Sequence, residues 1–166
     1  MTVDRLTDAE IARILLAVRR IALVGASARP ERPSNRVLAF LLTHGYDVVP
    51  VNPGLAGQSL HGRRVAGNLA EAAPLEMVDL FRAPGHVRPA VHEAIQLGAR
   101  VIWMQLGVIE ESAAEVARAA GLTVVMDRCP KIEWGRLGLT RAAAAPGPAG
   151  DGAGAAIRPG NMEQEP

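Results

Sequence analysis

The chain has 166 residues, a length typical of one domain, and 49% of them are apolar, which is enough for a hydrophobic core. A formal net charge of +1 gives no electrostatic case for nucleic-acid binding, and the single cysteine, Cys129, excludes an internal disulfide. The N-terminus is polar, and no apolar run approaches the roughly 20 residues needed to span a bilayer. We therefore expect a soluble, cytoplasmic protein that binds neither nucleic acid nor membrane.

Apolar runs and helical periodicities alternate along most of the chain. Thr7 and Glu10 have the spacing of a capping box, which predicts a first helix over 7–18. The apolar run 21–25 ends in glycine and predicts the first strand. The patterns that follow predict helix 34–45, strand 47–51, a short helix at 68–73, strand 77–82, helix 85–98, strand 100–105, helix 110–121 and strand 123–128.

This alternation of strands and helices is typical of an α/β fold. The predicted strands are continuously apolar, as expected when helices cover both faces of a parallel sheet. The sequence thus predicts a Rossmann-like, doubly wound parallel sheet of about five strands in the order 3-2-1-4-5. Near Leu139 the composition shifts to Ala, Gly and Pro, so we expect one domain over 1–139 and a disordered tail over 140–166.

Ligands of such folds bind at the carboxyl ends of the strands, at the switch point that the predicted order places between strands 1 and 4. The loop after the first strand keeps only Gly25 of the three glycines of a dinucleotide-binding loop. The second strand ends in Asn52, where such sites carry an acid that accepts the ribose hydroxyls. Both departures from the dinucleotide-binding pattern argue against NAD as the ligand.

The same loop carries three guanidinium groups, those of Arg29, Arg32 and Arg36, and leads into a helix that opens near Ser34. Guanidinium groups and the N-terminus of a helix both suit phosphate. The loop's charge therefore indicates a ligand with more phosphate than NAD. The alternative is a solvated basic loop with ordinary helix capping.

Several short motifs occur in a fixed order at the predicted strand ends. They are "VGAS" followed by "SNRV", then "GYDVVPVNP", "VDLFR", "WMQLG" and "VVMDRCPKIEWGRL". Together they resemble the small stand-alone CoA-binding proteins, whose domain is similar to the N-terminal CoA-binding domain of the succinyl-CoA synthetase alpha subunit. The resemblance covers roughly residues 15–139 and implies coenzyme A as the ligand.

The resemblance also implies where each part of coenzyme A would lie. The turn after strand 1 and the start of the next helix would face the phosphates, and the end of strand 2 would flank the adenosine. The end of strand 3 would wall the nucleotide pocket, and the end of strand 4 would lie toward the pantetheine arm. With Arg29 added for its charge, the candidate residues in these four places are Gly25, Ala26, Ser27, Arg29, Ser34 and Arg36, then Asn52 and Pro53, then Phe81 and Arg82, and finally Gln105 and Gly107.

No catalytic group is evident in the sequence. The four histidines have no metal-ligand spacing, and Ser27 has no base that the sequence identifies. The synthetase whose domain is similar works with a phosphorylated histidine from a second domain and with a partner subunit. We expect no such domain in this chain, so the resemblance does not imply the synthetase activity. Asp79 falls inside a strand, where a structural role is expected.

Cys129 allows two interpretations. A free cysteine at a strand end is most often a buried packing residue, which is the interpretation we prefer. The alternative is a reversible mixed disulfide with the thiol of CoA, for which Arg128 and Lys131, near in sequence, would favour the thiolate.

The sequence thus favours non-catalytic binding of coenzyme A or an acyl-CoA, as a carrier, sensor or regulator. One alternative is an NAD(P)-binding redox sensor or small dehydrogenase. Another is a CoA-using enzyme subunit that needs a partner. The sequence leaves homo-oligomerisation open.

Overall fold

The computed structural model describes residues 2–141, in which helices and strands alternate. The helices are α1 (Asp8–Ala17), α2 (Pro33–Thr43), α3 (Leu69–Ala72), α4 (Pro84–Gln96), α5 (Glu111–Ala119) and α6 (Pro130–Arg136). The strands are β1 (Arg20–Val24), β2 (Asp47–Val51), β3 (Ser59–Leu60), β4 (Arg63–Arg64), β5 (Met77–Leu80), β6 (Val101–Met104) and β7 (Thr123–Val125). The α6 helix and the β3–β4 hairpin are not among the predicted elements. Most of the predicted tail, from residue 142 onward, lies outside the described residues.

The main sheet is parallel and has the strand order β2-β1-β5-β6-β7, which confirms the predicted doubly wound α/β fold. The predicted order is wrong in one respect. The third predicted strand, β5, pairs with β1, with Ala22 opposite Val78, and does not lie outside β2. The switch point therefore falls between β1 and β5, and the carboxyl end of β5 comes directly beside the loop after β1.

Pro50, in the middle of β2, explains why that strand lies at the edge. Proline has no N–H to donate to a second neighbouring strand, so it is confined to edge strands. The outer side of β2 is covered by the chain that follows the β3–β4 hairpin, where the Ala66 N–H donates to the Pro50 carbonyl over 2.9 Å. An order with β2 in the interior of the sheet is incompatible with this residue.

The core consists of two apolar clusters, one on each face of the sheet. In β1 the side chains of Ala22 and Val24 belong to one cluster, and those of Ile21 and Leu23 belong to the other. The helices α3, α4 and α5 cover the first face, and α1, α2 and α6 cover the second. Burial on both faces accounts for the continuously apolar strands.

A group of ion pairs fastens the N-terminal segment to the chain after β7. The buried guanidinium of Arg128 donates to both carboxylate oxygens of Asp4, over 2.7 and 3.1 Å, and to Glu133 over 3.3 Å. Arg136, on α6, donates to Glu133 and to both oxygens of Asp8. These contacts fix the start of α6 beside the carboxyl edge of the sheet.

No helix within residues 2–141 is both long enough and apolar enough to cross a membrane. The same residues contain no group of three or more His, Cys, Asp or Glu side chains that could hold a metal ion.

Candidate functional site

A cleft of about 970 Å³ opens at the carboxyl edge of the sheet, on the side covered by α2 and α6. Its walls come from the ends of β1, β2, β5 and β6 and from the starts of α2 and α6. This is where an open α/β sheet binds ligands, at the switch point between β1 and β5. The volume lies at the upper end of the range found for small-molecule sites.

Gly25 makes the turn that brings β1 into the cleft. Its φ is +89°, a conformation that residues with a side chain rarely adopt, and a Cβ placed there would lie 2.2 Å from the Phe81 carbonyl oxygen. The N–H groups of Gly25 and Ala26 both donate to the Val51 carbonyl, over 3.0 and 3.2 Å. Glycine is thus required because the loop passes directly over the end of β5.

Two asparagines hold the loop that follows this turn. The Asn52 amide donates to the Ala26 carbonyl and the Asn35 amide donates to the Ser27 carbonyl, each over 2.8 Å. The side-chain oxygen of Asn52 accepts from the Gly54 N–H, and that of Asn35 lies 2.9 Å from His61 Nε2. Because both side chains are engaged by the protein, the loop is held in place without a ligand. Asn52 thus lines the cleft chiefly as a support for its neighbours.

The N-terminus of α2 opens toward the cleft and has no side-chain cap. The helix begins at Pro33, with Arg32 as its N-cap residue, so Ser34 is a buried residue of the first turn and not the expected cap. A proline at the first position leaves one fewer N–H to satisfy, which is the physical reason that the helix starts there. The helices α1, α3 and α5 are capped by Thr7, Asn68 and Glu110, whereas α4 and α6 share with α2 the lack of a side-chain cap among residues 2–141. The uncapped end of α2 provides a positive potential suited to an anion.

Within residues 2–141, the residues lining the cleft include five cations and no carboxylate. The cations are Arg29, Arg32, Arg36, Arg82 and Lys131. Arg29 forms an exposed pair with Glu31 over 3.3 Å, whereas the other four form no ion pair within residues 2–141. Unpaired guanidinium groups around an open helix N-terminus favour a ligand with several negative charges.

A buried polar pair lies beneath the β5–β6 side of the cleft. The Gln105 amide lines the cleft and donates to Asp79 Oδ1 over 2.9 Å. Burial raises the pKa of the Asp79 carboxyl to about 7, and its second oxygen has no hydrogen-bond partner within residues 2–141. The expected structural role of Asp79 fits this contact, because the carboxyl orients the side chain of Gln105.

Cys129 also lines the cleft, where it precedes α6. Burial raises the pKa of its thiol, and the nearby Asp79 acts in the same direction, while Lys131 opposes them. The buried packing role preferred from the sequence fits this environment better than a reactive thiolate does.

Ten of the twelve candidate residues line the cleft, and Pro53 and Gly107 do not. Pro53 starts an exposed one-turn helix whose neighbours Gly54 and Leu55 face the cleft in its place. Gly107, with a φ of +77°, forms the turn after β6, and its N–H donates to Asp127 Oδ1 over 2.7 Å.

Further lining residues were missing from the candidate set. They are Ala28, Arg32, Pro33, Val37, Gly54, Leu55, Leu106, Val108, Cys129, Lys131 and Ile132. The charge of Arg32 was a usable signal. Cys129 and Lys131 entered the sequence analysis only through the mixed disulfide with CoA. Ile132 could not be found without α6, whose start is positioned by the distant Asp4–Arg128 pair.

Comparisons with known proteins identify the family of the chain. A family model for the CoA binding domain matches residues 19–135, so the chain belongs to that family. An uncharacterized protein of Bacillus subtilis, YneT, is 35% identical over 127 residues, which are 76% of this chain and 93% of YneT.

Two solved structures are similar over most of their length. A hypothetical protein from Pyrococcus horikoshii is 42% identical with a TM-score of 0.77, and the match covers 82% of this chain and 96% of that one. A protein from Thermus thermophilus is 32% identical with a TM-score of 0.76, covering 80% and 99%. The whole described fold, and not a fragment of it, is therefore shared with these relatives.

Proposed function

We propose that the protein binds coenzyme A or an acyl-CoA in the cleft between β1 and β5, without catalysing a reaction on it. It would act as a carrier, sensor or regulator. The observation that carries the proposal is the cleft's lining, which within residues 2–141 holds five cations and no carboxylate, with Arg29, Arg32 and Arg36 at the start of α2. Membership of the CoA binding domain family supports the same ligand.

The charges favour one orientation of the ligand. The phosphates of CoA would bind to Arg29, Arg32 and Arg36 at the start of α2, where the cations are densest. The adenosine would lie toward Leu55, and the pantetheine arm would run across β5 toward Gln105 and β6. With its amide nitrogen donating to Asp79, the Gln105 carbonyl oxygen is the atom left to accept from an amide N–H of that arm.

The same lining argues against the NAD alternative. A dinucleotide site uses a carboxylate after the second strand to accept the ribose hydroxyls. This position is Asn52, whose side-chain oxygen is engaged by the Gly54 N–H.

Titration calorimetry tests the proposal. CoA should bind, and Arg36→Ala should weaken it about tenfold to a hundredfold, because a charge-assisted hydrogen bond contributes about 1.5–3 kcal/mol. The matched control is Arg88→Ala, an exposed arginine on α4 outside the cleft, which should leave the affinity unchanged. Tighter binding of NAD than of CoA would overturn the proposal in favour of a redox protein. Equal affinity of the wild type and Arg36→Ala for CoA would mean that Arg36, at the start of α2, does not contribute to the binding site.

A further inference from the structure

The turn of the β3–β4 hairpin contains a histidine in a conformation that few side chains adopt. His61 and Gly62 are the two residues between β3 and β4, and their φ angles are +47° and +79°. Two-residue turns with positive φ at both positions favour asparagine, aspartate or glycine at the first of them. Histidine at this position therefore carries a backbone cost, and such a cost directs attention to the contact that the side chain makes.

The imidazole of His61 reaches from the hairpin to the first turn of α2. Its Nε2 lies 2.9 Å from Oδ1 of Asn35, a residue that is only 7% exposed. The Asn35 side-chain nitrogen donates to the Ser27 carbonyl over 2.8 Å, so its oxygen is the acceptor and His61 Nε2 carries the proton. The donor of His61 thus stabilises the orientation of the amide in which the nitrogen faces Ser27.

Ser27 connects this contact to the loop that lines the cleft after β1. Its hydroxyl oxygen accepts from the Arg29 N–H over 3.2 Å, so the position of Ser27 also affects the backbone at Arg29. Hydrogen bonds therefore link His61 through Asn35 and Ser27 to one of the cations of the cleft. His61 itself does not line the cleft, so any effect on a ligand is transmitted through Asn35.

The hairpin that carries His61 is anchored by other contacts. Leu60 is buried in the apolar cluster on the α2 side of the sheet, and Arg63 forms an ion pair with Asp47 of β2. The side chain of His61 is exposed and belongs to neither contact. Removing the imidazole should therefore leave the hairpin in place and act on Asn35.

We propose that His61 is a positioning residue of the phosphate-binding loop, which it stabilises through its hydrogen bond to Asn35. The inference rests on the proposed function, because it takes the phosphates of CoA to bind beside Ser27 and Arg29. A loop that is already held in its bound arrangement loses less conformational entropy when the ligand binds. Loss of the His61 donor should therefore weaken binding although no group that contacts the ligand is removed.

Titration calorimetry with CoA tests the inference. His61→Ala should weaken CoA binding about threefold to tenfold, the range expected for one neutral hydrogen bond. His61→Gln should restore the affinity to within about twofold of the wild type, because the glutamine nitrogen is as many bonds from the backbone as Nε2 and also donates. Both variants place an ordinary side chain at the same positive φ, so they differ in the donor. Equal weakening in both variants would overturn the inference, since the turn and not the hydrogen bond would then matter.

A double-mutant cycle tests whether His61 acts through Asn35. Asn35→Ala should weaken CoA at least as much as His61→Ala does, and combining the two should cause no further loss. Additive losses would overturn the inference, because His61 would then affect the ligand by another route.

The control is His92→Ala, which removes an exposed histidine of α4 outside the cleft and should leave the affinity unchanged. Equal affinity of the wild type and His61→Ala for CoA would overturn the inference and leave the proposed function intact. A wild-type protein that does not bind CoA would overturn both.

Discussion

Two groups of arginines in this chain have opposite surroundings. Arg128 has 8% of its side chain exposed and donates to both oxygens of Asp4, whose carboxylate is fully buried. Arg32 and Arg36 are exposed beside the uncapped start of α2, and neither forms an ion pair within residues 2–141. A cation that the fold neutralises acts on stability, and a cation that the fold leaves open at the strand ends is available to a ligand.

The largest expected effect comes from breaking the neutralised group. Asp4→Ala should lower the free energy of unfolding by about 3–5 kcal/mol, because it leaves the buried Arg128 without its main partner. Denaturant unfolding measures the change. The control is Asp8→Ala, which removes an exposed partner of Arg136 and should change the free energy of unfolding far less than Asp4→Ala does, because solvent screens an exposed ion pair. Similar small losses in both variants would mean that Arg128 is readily hydrated and that the comparison of the two groups fails.

Asp79 is a buried carboxyl near the cleft that has no cationic partner within residues 2–141, so burial acts on its pKa without compensation. Burial raises its pKa to about 7, so between about pH 4 and pH 7 the folded state holds a proton that the unfolded state releases. Stability from this group is complete at low pH and is lost as the pH rises through 7. The loss relative to Asp79→Asn should be on the order of 2–4 kcal/mol.

Urea unfolding of the wild type and of Asp79→Asn at pH 5, 6, 7 and 8 measures this linkage. The difference between the two proteins should grow with pH and level off above 7. Parallel stability curves would show that Asp79 stays ionised in the folded state and that the environment beneath Gln105 is more polar than its burial indicates.

Local patterns in the sequence were sufficient to predict the five strands of the main sheet and the helices α1 to α5, but not α6, the β3–β4 hairpin or the order of the strands. Apolar runs and terminal glycines give the five strands, because burial on both faces of a parallel sheet requires continuous apolar stretches. The order of the strands depends on which edge of β1 the later chain pairs with, and no local pattern reports that choice directly. Pro50 did carry the information, since a proline inside a strand indicates an edge.

The residues of the candidate site also fall into two sets, those that the sequence motifs identify and those that depend on the arrangement of distant segments. The residues that line the cleft from β1, α2 and β5 follow one another at predictable strand ends, so the motifs identified them. Leu106 and Ile132 line the same cleft only because the sheet brings β6 beside β7 and the Arg128 pairs fix α6. Such an arrangement of distant segments has no signature in either segment alone.

Arg141 is intermediate between the two groups of arginines, because it contacts backbone carbonyls and an aromatic ring rather than a carboxylate. Its removal should have a smaller effect on stability. Its guanidinium donates to the carbonyls of Leu15 and Val18, over 3.3 and 3.0 Å, and lies 4.2 Å from the centre of the Tyr46 ring. A chain ending at Thr140 should be about 1 kcal/mol less stable than one ending at Arg141, because it loses these contacts. A chain ending at Arg141 should match the full-length protein, since the removed residues are mostly Ala, Gly and Pro with little to bury. A large loss on removing 142–166 would contradict the predicted disordered tail.

The smallest expected effect is a gain in the free energy of unfolding, whereas the preceding Asp4 and Arg141 changes are expected to lower it. Arg36 lies in the first turn and a half of α2, near Arg29 and Arg32 in sequence, so the ligand-free protein holds like charges beside the positive end of a helix. Cations in that position are unfavourable by a few tenths of a kcal/mol. Arg36→Ala should therefore raise the free energy of unfolding by about 0.3–0.5 kcal/mol at low ionic strength, while it weakens CoA binding. In 1 M salt the gain should vanish, because the Debye length falls to about 3 Å. Paired unfolding curves at the two salt concentrations measure it, and a loss of stability that persists in high salt would mean that Arg36 supports the fold and belongs with Arg128.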